Sequence, residues 1–181
     1  MKFRILAYAD AKQAAIAYVK ANFADIVDHI YPDLEDLIAG RGHCAIHGHV
    51  CEIEGPIDLV VAGLSCHPFA PLRHTKGKTA DTSKAEKHSE FSVVFDKFPR
   101  FLERQAPLGF VVEEIPAFYR DQRNGDNYGK DFMAICSSKG FSQRCTSVEA
   151  RVWIDWPRSR FVNIGAKRQL GISCAPDTLA L

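Results

Sequence analysis

Short apolar runs alternate along this chain with longer stretches of helical spacing. Residues 3–9, FRILAYA, are almost continuously apolar and predict a buried strand. The next stretch, DAKQAAIAYVKANF, is rich in Ala and other helix formers. It sets Ala14, Tyr18 and Ala21 on one face and offers Asp10 as the N-cap. PDLEDLIAGRG predicts a short helix closed by glycines. HCAIHGHVCEI is ambiguous, and its best reading is a short strand over residues 46–50. IDLVVAG predicts a second buried strand. Residues 71–87 are polar and read as a mobile loop. Phe91, Val94, Phe95, Phe98 and Leu102 then recur at helical spacing, with Pro99 expected to kink that helix or split it in two. GFVVEEI predicts a third buried strand, and YGKDFMAICSSKG a helix closed by Gly140. RCTSVEARVWI and RFVNIGA predict an antiparallel pair turning over residues 155–158.

Strands that alternate with helices imply an α/β sheet, and in such sheets functional loops lie at the carboxyl ends of the strands. Asp10, Cys66 and Glu113 each follow an apolar strand, so all three are expected at one edge. A length of 181 residues favours one domain, and 46% apolar residues suffice for a real core. With 23 basic and 22 acidic residues, global charge carries no nucleic-acid signal, so any basic site must be local. The six cysteines are Cys44, Cys51, Cys66, Cys136, Cys145 and Cys174. A chain this long does not need a disulfide framework, and nothing at its start resembles a signal peptide. No apolar run reaches the length of a membrane span. A reducing, intracellular setting is expected, nuclear in a eukaryote and cytoplasmic in a prokaryote.

Cys66 sits on a loop presented by the strand before it. Backbone N–H groups at a helix start, or the cations Arg73, His74 and Lys76, would raise its thiolate fraction and make it a nucleophile. The other reading is a small packing cysteine. Glu113 ends an apolar strand, where desolvation would raise its pKa and suit it to proton donation. Its neighbour Glu114 leaves open which carboxylate points inward. Asp10 suits either a hydrogen bond to ribose hydroxyls or simple capping. His43, Cys44, His47, His49 and Cys51 invite a zinc reading, with His47, His49 and Cys51 on one strand face. The spacing matches no standard pair of ligand pairs and no second pair stands out downstream, so no metal is assigned. Arg73, His74, Lys76, Lys78, Lys84 and Lys87 form a basic loop beside Cys66 that either meets phosphates or is simply solvated.

Together these landmarks resemble the DNA cytosine-5 methyltransferases. The family's catalytic loop, Gly-Pro-Pro-Cys-Gln-Pro-Phe-Ser after an Asp-Leu strand, stands here as Gly63-Leu64-Ser65-Cys66-His67-Pro68-Phe69-Ala70 after Asp58-Leu59. Its Glu-Asn-Val signature corresponds to Glu113-Glu114-Ile115-Pro116. Its Gln-x-Arg-x-Arg signature corresponds to Trp156-Pro157-Arg158-Ser159-Arg160. Asp10 and Asn22-Phe23 match the acidic residue after the family's second strand and the helix end that follows. The resemblance spans residues 3–167, and residues 1–170 are read as a partial catalytic domain with 171–181 as a tail.

The resemblance implies a Rossmann-like S-adenosylmethionine-dependent methyltransferase sheet, truncated at its N-terminal strand. It implies S-adenosyl-L-methionine as cofactor, held by Asp10, Gly63 and Ser65. It implies DNA as partner, in preference to RNA, contacted by Arg73, Lys76 and Lys78, with no membrane. It also implies a chemistry in which the flipped cytosine is attacked by Cys66 at ring carbon 6, Glu113 serves ring nitrogen 3, and Arg158 and Arg160 complete the site.

The chain departs from the family at several points. The Gly-rich turn of the first strand and the target-recognition domain are lacking. The Gly-Asp-Ile turn stands as Gly48-His49-Val50, the two prolines before the cysteine are Leu64 and Ser65, and Trp156 replaces Gln. Three readings follow: a catalytic piece completed by another segment or chain, a non-catalytic homologue that binds DNA or a partner protein, and a cysteine-dependent hydrolase using Cys66 with His67.

Overall fold

The computed structural model describes residues 3–69, 85–121, 127–149 and 159–171. Two compact units share the chain: Met1–Ile57 with Arg100–Ala106, and Asp58–Pro99 with Pro107–Leu181. Among the described residues the strands form three hydrogen-bonded sheets, within the α/β class expected. No helix among them is long and apolar enough to cross a membrane.

The first unit opens as a βαβ element. Strand β1 (Ile5–Ala9) runs parallel to β2 (Val27–Tyr31), and helix α1 (Gln13–Phe23) connects them. Ile16 of α1 packs with Val27 and Ile30, and Val19 and Tyr8 close over that cluster. The face carrying Ala14, Tyr18 and Ala21 is the solvent face, with Tyr18 62% exposed. Strand β2 escaped the sequence reading because Asp28 and His29 interrupt its apolar run. Lys12, not Asp10, holds the N-cap position of α1, and Asp10 orders the turn before it by accepting from Lys12 N at 2.7 Å.

Helix α2 (Leu34–Ala39) forms as predicted. The Asp33 side chain accepts from Glu35 N, and Gly40, at φ 70°, closes the helix in the left-handed conformation that glycine adopts without strain. Within the same unit Arg100 pairs with Glu35 at 3.2 Å, and Gln105 donates to Ile38 O at 2.8 Å. The strand expected over 46–50 is instead the tip of a hairpin. Strands β3 (Arg41–His43) and β4 (Val50–Glu52) pair antiparallel, and the chain reverses between them through Gly48 at φ 72°.

The second unit is a four-stranded mixed sheet in the order β5 (Leu59–Gly63), β6 (Gly109–Glu114), β8 (Ser159–Lys167), β7 (Phe141–Glu149). The first pair is parallel and the other two are antiparallel. The β7–β8 pair is the one predicted. Its connection, 150–158, lies outside the described residues.

One face of this sheet is core. Phe110 meets Phe98 and Phe141 at centroid distances of 5.7 and 5.2 Å, and Phe98 stacks on Phe132 of helix α4 (Tyr128–Ser138) at 5.9 Å. A Cβ at Gly165 would stand 2.3 Å from the Phe110 ring, so glycine there is a packing requirement. The other face explains a failed expectation. β5 is not buried on both sides: Leu59 and Val61 are 56% and 76% exposed, because side chains alternate across the strand and only Val60 and Ala62 turn inward.

Pro99 does divide the predicted helix. A π turn (Val93–Lys97) precedes helix α3 (Phe98–Gln105), and Phe98 N reaches back to Val93 O. Proline lacks an N–H and crowds the carbonyl four residues back, and the widened turn accommodates both defects.

Candidate active site

Parallel register sets Gly63 of β5 beside Glu113 of β6. The loop bearing Cys66 therefore leaves the sheet at the same end as Glu113. Cys66 is partly exposed, and its carbonyl accepts from Phe69 N at 3.0 Å in a single 3₁₀ turn (His67–Phe69). Pro68 and Phe69 anchor that turn in an aromatic cluster. Phe69 lies 4.8 Å from Phe118, 5.2 Å from Tyr128 and 6.1 Å from Phe91. A buried residue three positions after the thiol thus fixes the loop that carries the partly exposed Cys66. Cys136 is the contrasting case, because burial pushes its thiol up to about 12 and leaves it inert.

Glu90 also holds the loop, and sequence reasoning missed it. Its carboxylate accepts from Ser65 Oγ and from His67 Nδ1, the latter at 2.8 Å. The Ser65 hydrogen bond first, and the His67 bond with it, holds this carboxyl below the usual carboxylate range. Glu90 lies 25 residues from Ser65 in sequence, and no spacing announces the contact. His67 Nδ1 bonds Glu90, which fixes the orientation of the imidazole beside Cys66.

The two adjacent glutamates divide the roles that the sequence left open. Glu113 is 43% exposed and bonded to Arg160, with Arg160 Nε to Glu113 Oε1 at 2.5 Å. The desolvation expected at Glu113 falls on Glu114 instead. Glu114 is 1% exposed; it accepts from Ile115 N at 3.2 Å, and its other oxygen has no partner among the described residues. Burial, with the charge of Glu113 added, pushes its carboxyl up to about 8. Period-2 alternation is the cause: Glu114 shares the inward face with Phe110 and Val112. Arg160 also donates to Ser159 O at 2.8 Å, so its guanidinium is held from two sides.

Asp10 lies in the first unit, after the end of β1. One of its carboxylate oxygens accepts from Lys12 N at 2.7 Å and the other from Tyr8 Oη at 3.0 Å. A carboxylate offers about four acceptor positions, so capacity remains for a hydroxyl pair. At Gly63 nothing lies within 4 Å of where a Cβ would stand, leaving open space beside the backbone. The Ser65 hydroxyl donates to Glu90 and keeps its acceptor positions. Arg73, Lys76, Lys78 and Arg158 lie outside the described residues.

No family model matches the chain, and no curated protein matches it. Solved structures do. A protein described as a DNA modification methyltransferase, encoded within an E. coli prophage, aligns with TM-score 0.65 and 17% identity over 98% of this chain and 45% of its own. DNMT2 of Spodoptera frugiperda, in a mutant form, aligns with TM-score 0.60 and 13% identity over 99% of this chain and 47% of its own. The Entamoeba histolytica methyltransferase EhMeth aligns with TM-score 0.54 and 14% identity, over 87% and 43%. At these identities the likeness establishes the fold. The chain has the Rossmann-like α/β fold of these methyltransferases, and it spans less than half the length of each of the three.

Proposed function

We propose that this chain is part of an S-adenosylmethionine-dependent methyltransferase acting on carbon 5 of cytosine in DNA, either alone or when completed by another segment. The observation that carries this reading is the Cys66 loop, Glu113 and Arg160 at one end of one sheet, with Arg160 locked to Glu113 at 2.5 Å. Fold likeness to methyltransferases agrees with it and does not specify the base or the cofactor.

In this reading Cys66 attacks ring carbon 6 of an extruded cytosine. Glu113 holds or protonates ring nitrogen 3, and Arg160 orients Glu113 and stabilises charge at the neighbouring oxygen of the base. S-adenosylmethionine, when bound, supplies the methyl group, and Asp10, Gly63 and Ser65 are assigned to it by resemblance alone. Arg158 and the basic side chains Arg73, Lys76 and Lys78 are assigned to the site and to the phosphate backbone by resemblance alone. DNA is preferred to RNA as substrate, and completion by a second chain belongs to the proposal.

Calorimetry of S-adenosylmethionine binding to the purified chain, followed by trapping on 5-fluorocytosine DNA, tests this reading. Saturable binding and a covalent adduct that disappears in Cys66→Ala, with cofactor affinity kept, are the expected results. Asp10→Ala should weaken cofactor binding. Cofactor binding with no adduct on DNA but an adduct on RNA would move the substrate. Failure of the folded chain to bind cofactor even at millimolar concentration would favour the non-catalytic homologue.

A further inference from the structure

We propose that His29, Cys44, His47 and Cys51 form a tetrahedral structural zinc site that cross-links β2 to the β3–β4 hairpin. One donor atom from each of the four residues lies within 4.8 Å of all the others. Zinc with thiolates at about 2.3 Å and imidazoles at about 2.0 Å has donor-to-donor edges of roughly 3.3–3.8 Å. Cys51 Sγ and His47 Nδ1 already stand 3.3 Å apart.

The chemistry of the set is specific. Two cysteines and two histidines are a standard zinc complement, and two thiolates exactly offset the charge of a divalent ion, leaving a neutral centre suited to burial. Cys44 is fully buried, Cys51 nearly so, and neither is in a disulfide. His29 Nδ1 is buried and has no hydrogen-bond partner in the protein. A buried polar nitrogen without a partner calls for a ligand at that ring.

Backbone bonds independent of any ion hold the four positions. Gly48 N donates to Cys44 O at 2.8 Å, and Cys44 N to His49 O at 2.9 Å, which shapes the tip. The left-handed Gly48 turns the chain immediately after His47. Ala45 N donates to Ile30 O at 2.8 Å and Tyr31 Oη to Cys51 O at 3.2 Å, and these two bonds tie the hairpin to β2 beside His29. The strands β3 and β4 have three residues each, too short to be stable alone, and a cross-link at their tip supplies what their length does not. Four protein ligands leave no open position, so the site is structural rather than catalytic. The spacing Cys44-x2-His47-x3-Cys51 lacked one ligand in sequence, and the fold supplies it from upstream, on β2. His49 Nδ1 lies 3.0 Å from Val50 O and 3.5 Å from Cys51 Sγ, but His49 is outside the group whose donor atoms all lie within 4.8 Å of one another, so it is a neighbour of the site rather than a member.

The test uses the full chain, expressed with zinc and purified under reducing conditions. Elemental analysis should give one zinc per chain. Cobalt titrated into the metal-free protein should give tetrahedral visible bands with a thiolate charge-transfer band, and zinc should displace it. His47 is exposed, so His47→Gln keeps the fold. It should weaken cobalt binding by more than the roughly 10–100-fold lost when a partner behind a ligand is removed. His49→Gln should bind as the parent does. A folded parent chain with no stoichiometric zinc and no tetrahedral cobalt spectrum would overturn the proposal. So would a Cys44–Cys51 disulfide under reducing conditions, or binding that survives His47→Gln but is lost in His49→Gln. None of these readouts depends on S-adenosylmethionine or DNA.

Discussion

Replacing Glu114 by Gln tests whether a neutral carboxyl lies under the proposed site. Glu114 is 1% exposed, and its carboxyl is pushed up to about 8 from an ordinary 4.5, chiefly by burial. In the unfolded chain the group ionises above its ordinary value, while in the folded chain it keeps its proton until the pH nears 8. The unfolded state therefore binds fewer protons across that window, and stability falls as pH rises through it. At about 1.36 kcal/mol per pH unit the full loss is about 5 kcal/mol, of which about 3.5 kcal/mol falls between about pH 5 and about pH 8. Glu114→Gln keeps the shape and never ionises. Urea unfolding of both proteins by circular dichroism, repeated across that range, gives a difference curve in which all other titrating groups cancel. The parent should lose about 3.5 kcal/mol relative to the variant as pH rises from about 5 to about 8. Parallel curves, or a parent that gains on the variant with pH, would refute a buried, protonated Glu114.

Phe69→Ala removes the ring that pins the Cys66 loop among Phe91, Phe118 and Tyr128. It should destabilise the chain by about 3–5 kcal/mol in denaturant unfolding. Gly165→Ala drives a methyl group to 2.3 Å from the Phe110 ring and should cost about 1–3 kcal/mol in the same assay. Glu90→Ala should change stability by less than about 1 kcal/mol, since its partners are half exposed, yet slow adduct formation with 5-fluorocytosine DNA about tenfold or more. An unchanged adduct rate would show that Glu90 does not position the loop.

Element order was legible wherever one physical signal dominated. Runs such as those at β1 and β6, the glycine that closes α2, and the glycine after α4 all stand where the sequence places them. Strand β2 was hidden because polar residues interrupt its apolar run. The hairpin tip was read as strand because its histidines and cysteine alternate, while Gly48 reverses the chain. The exposure of Val61 was invisible for a different reason. An apolar run does not say how many faces will be covered, and that depends on what the sheet packs against. The inward choice between Glu113 and Glu114 turned on strand parity, which becomes readable only once the register Gly63 to Glu113 is known. The contacts of Glu90, and of His29 with the hairpin tip, join residues far apart in sequence and are products of the fold alone.

The departures from the family's catalytic loop acquire a physical meaning in this light. Prolines before the thiol would stiffen the loop by fixing its backbone torsion. This chain has Leu64 and Ser65 there, and the stiffening comes from side chains instead. Ser65 and His67 flank Cys66, and both bond the one Glu90 carboxylate, so the residues on either side of the sulfur are tied to a single point. Where the cytosine methyltransferases that the sequence resembles have Asn after a glutamate, Glu114 stands here after Glu113. Because burial keeps that carboxyl protonated near neutral pH, it meets the core as an uncharged group, as an amide would. Glu113 then carries the only negative charge of the pair, and Arg160 is bonded to it. A glutamate charged at both positions would place two carboxylates at the strand end and divide the guanidinium between them. Protonation of Glu114 removes that competition. On the proposed reading, raising the pH through about 8 therefore draws Arg160 away from Glu113 by ionising its neighbour, and loss of activity above that pH should vanish in Glu114→Gln.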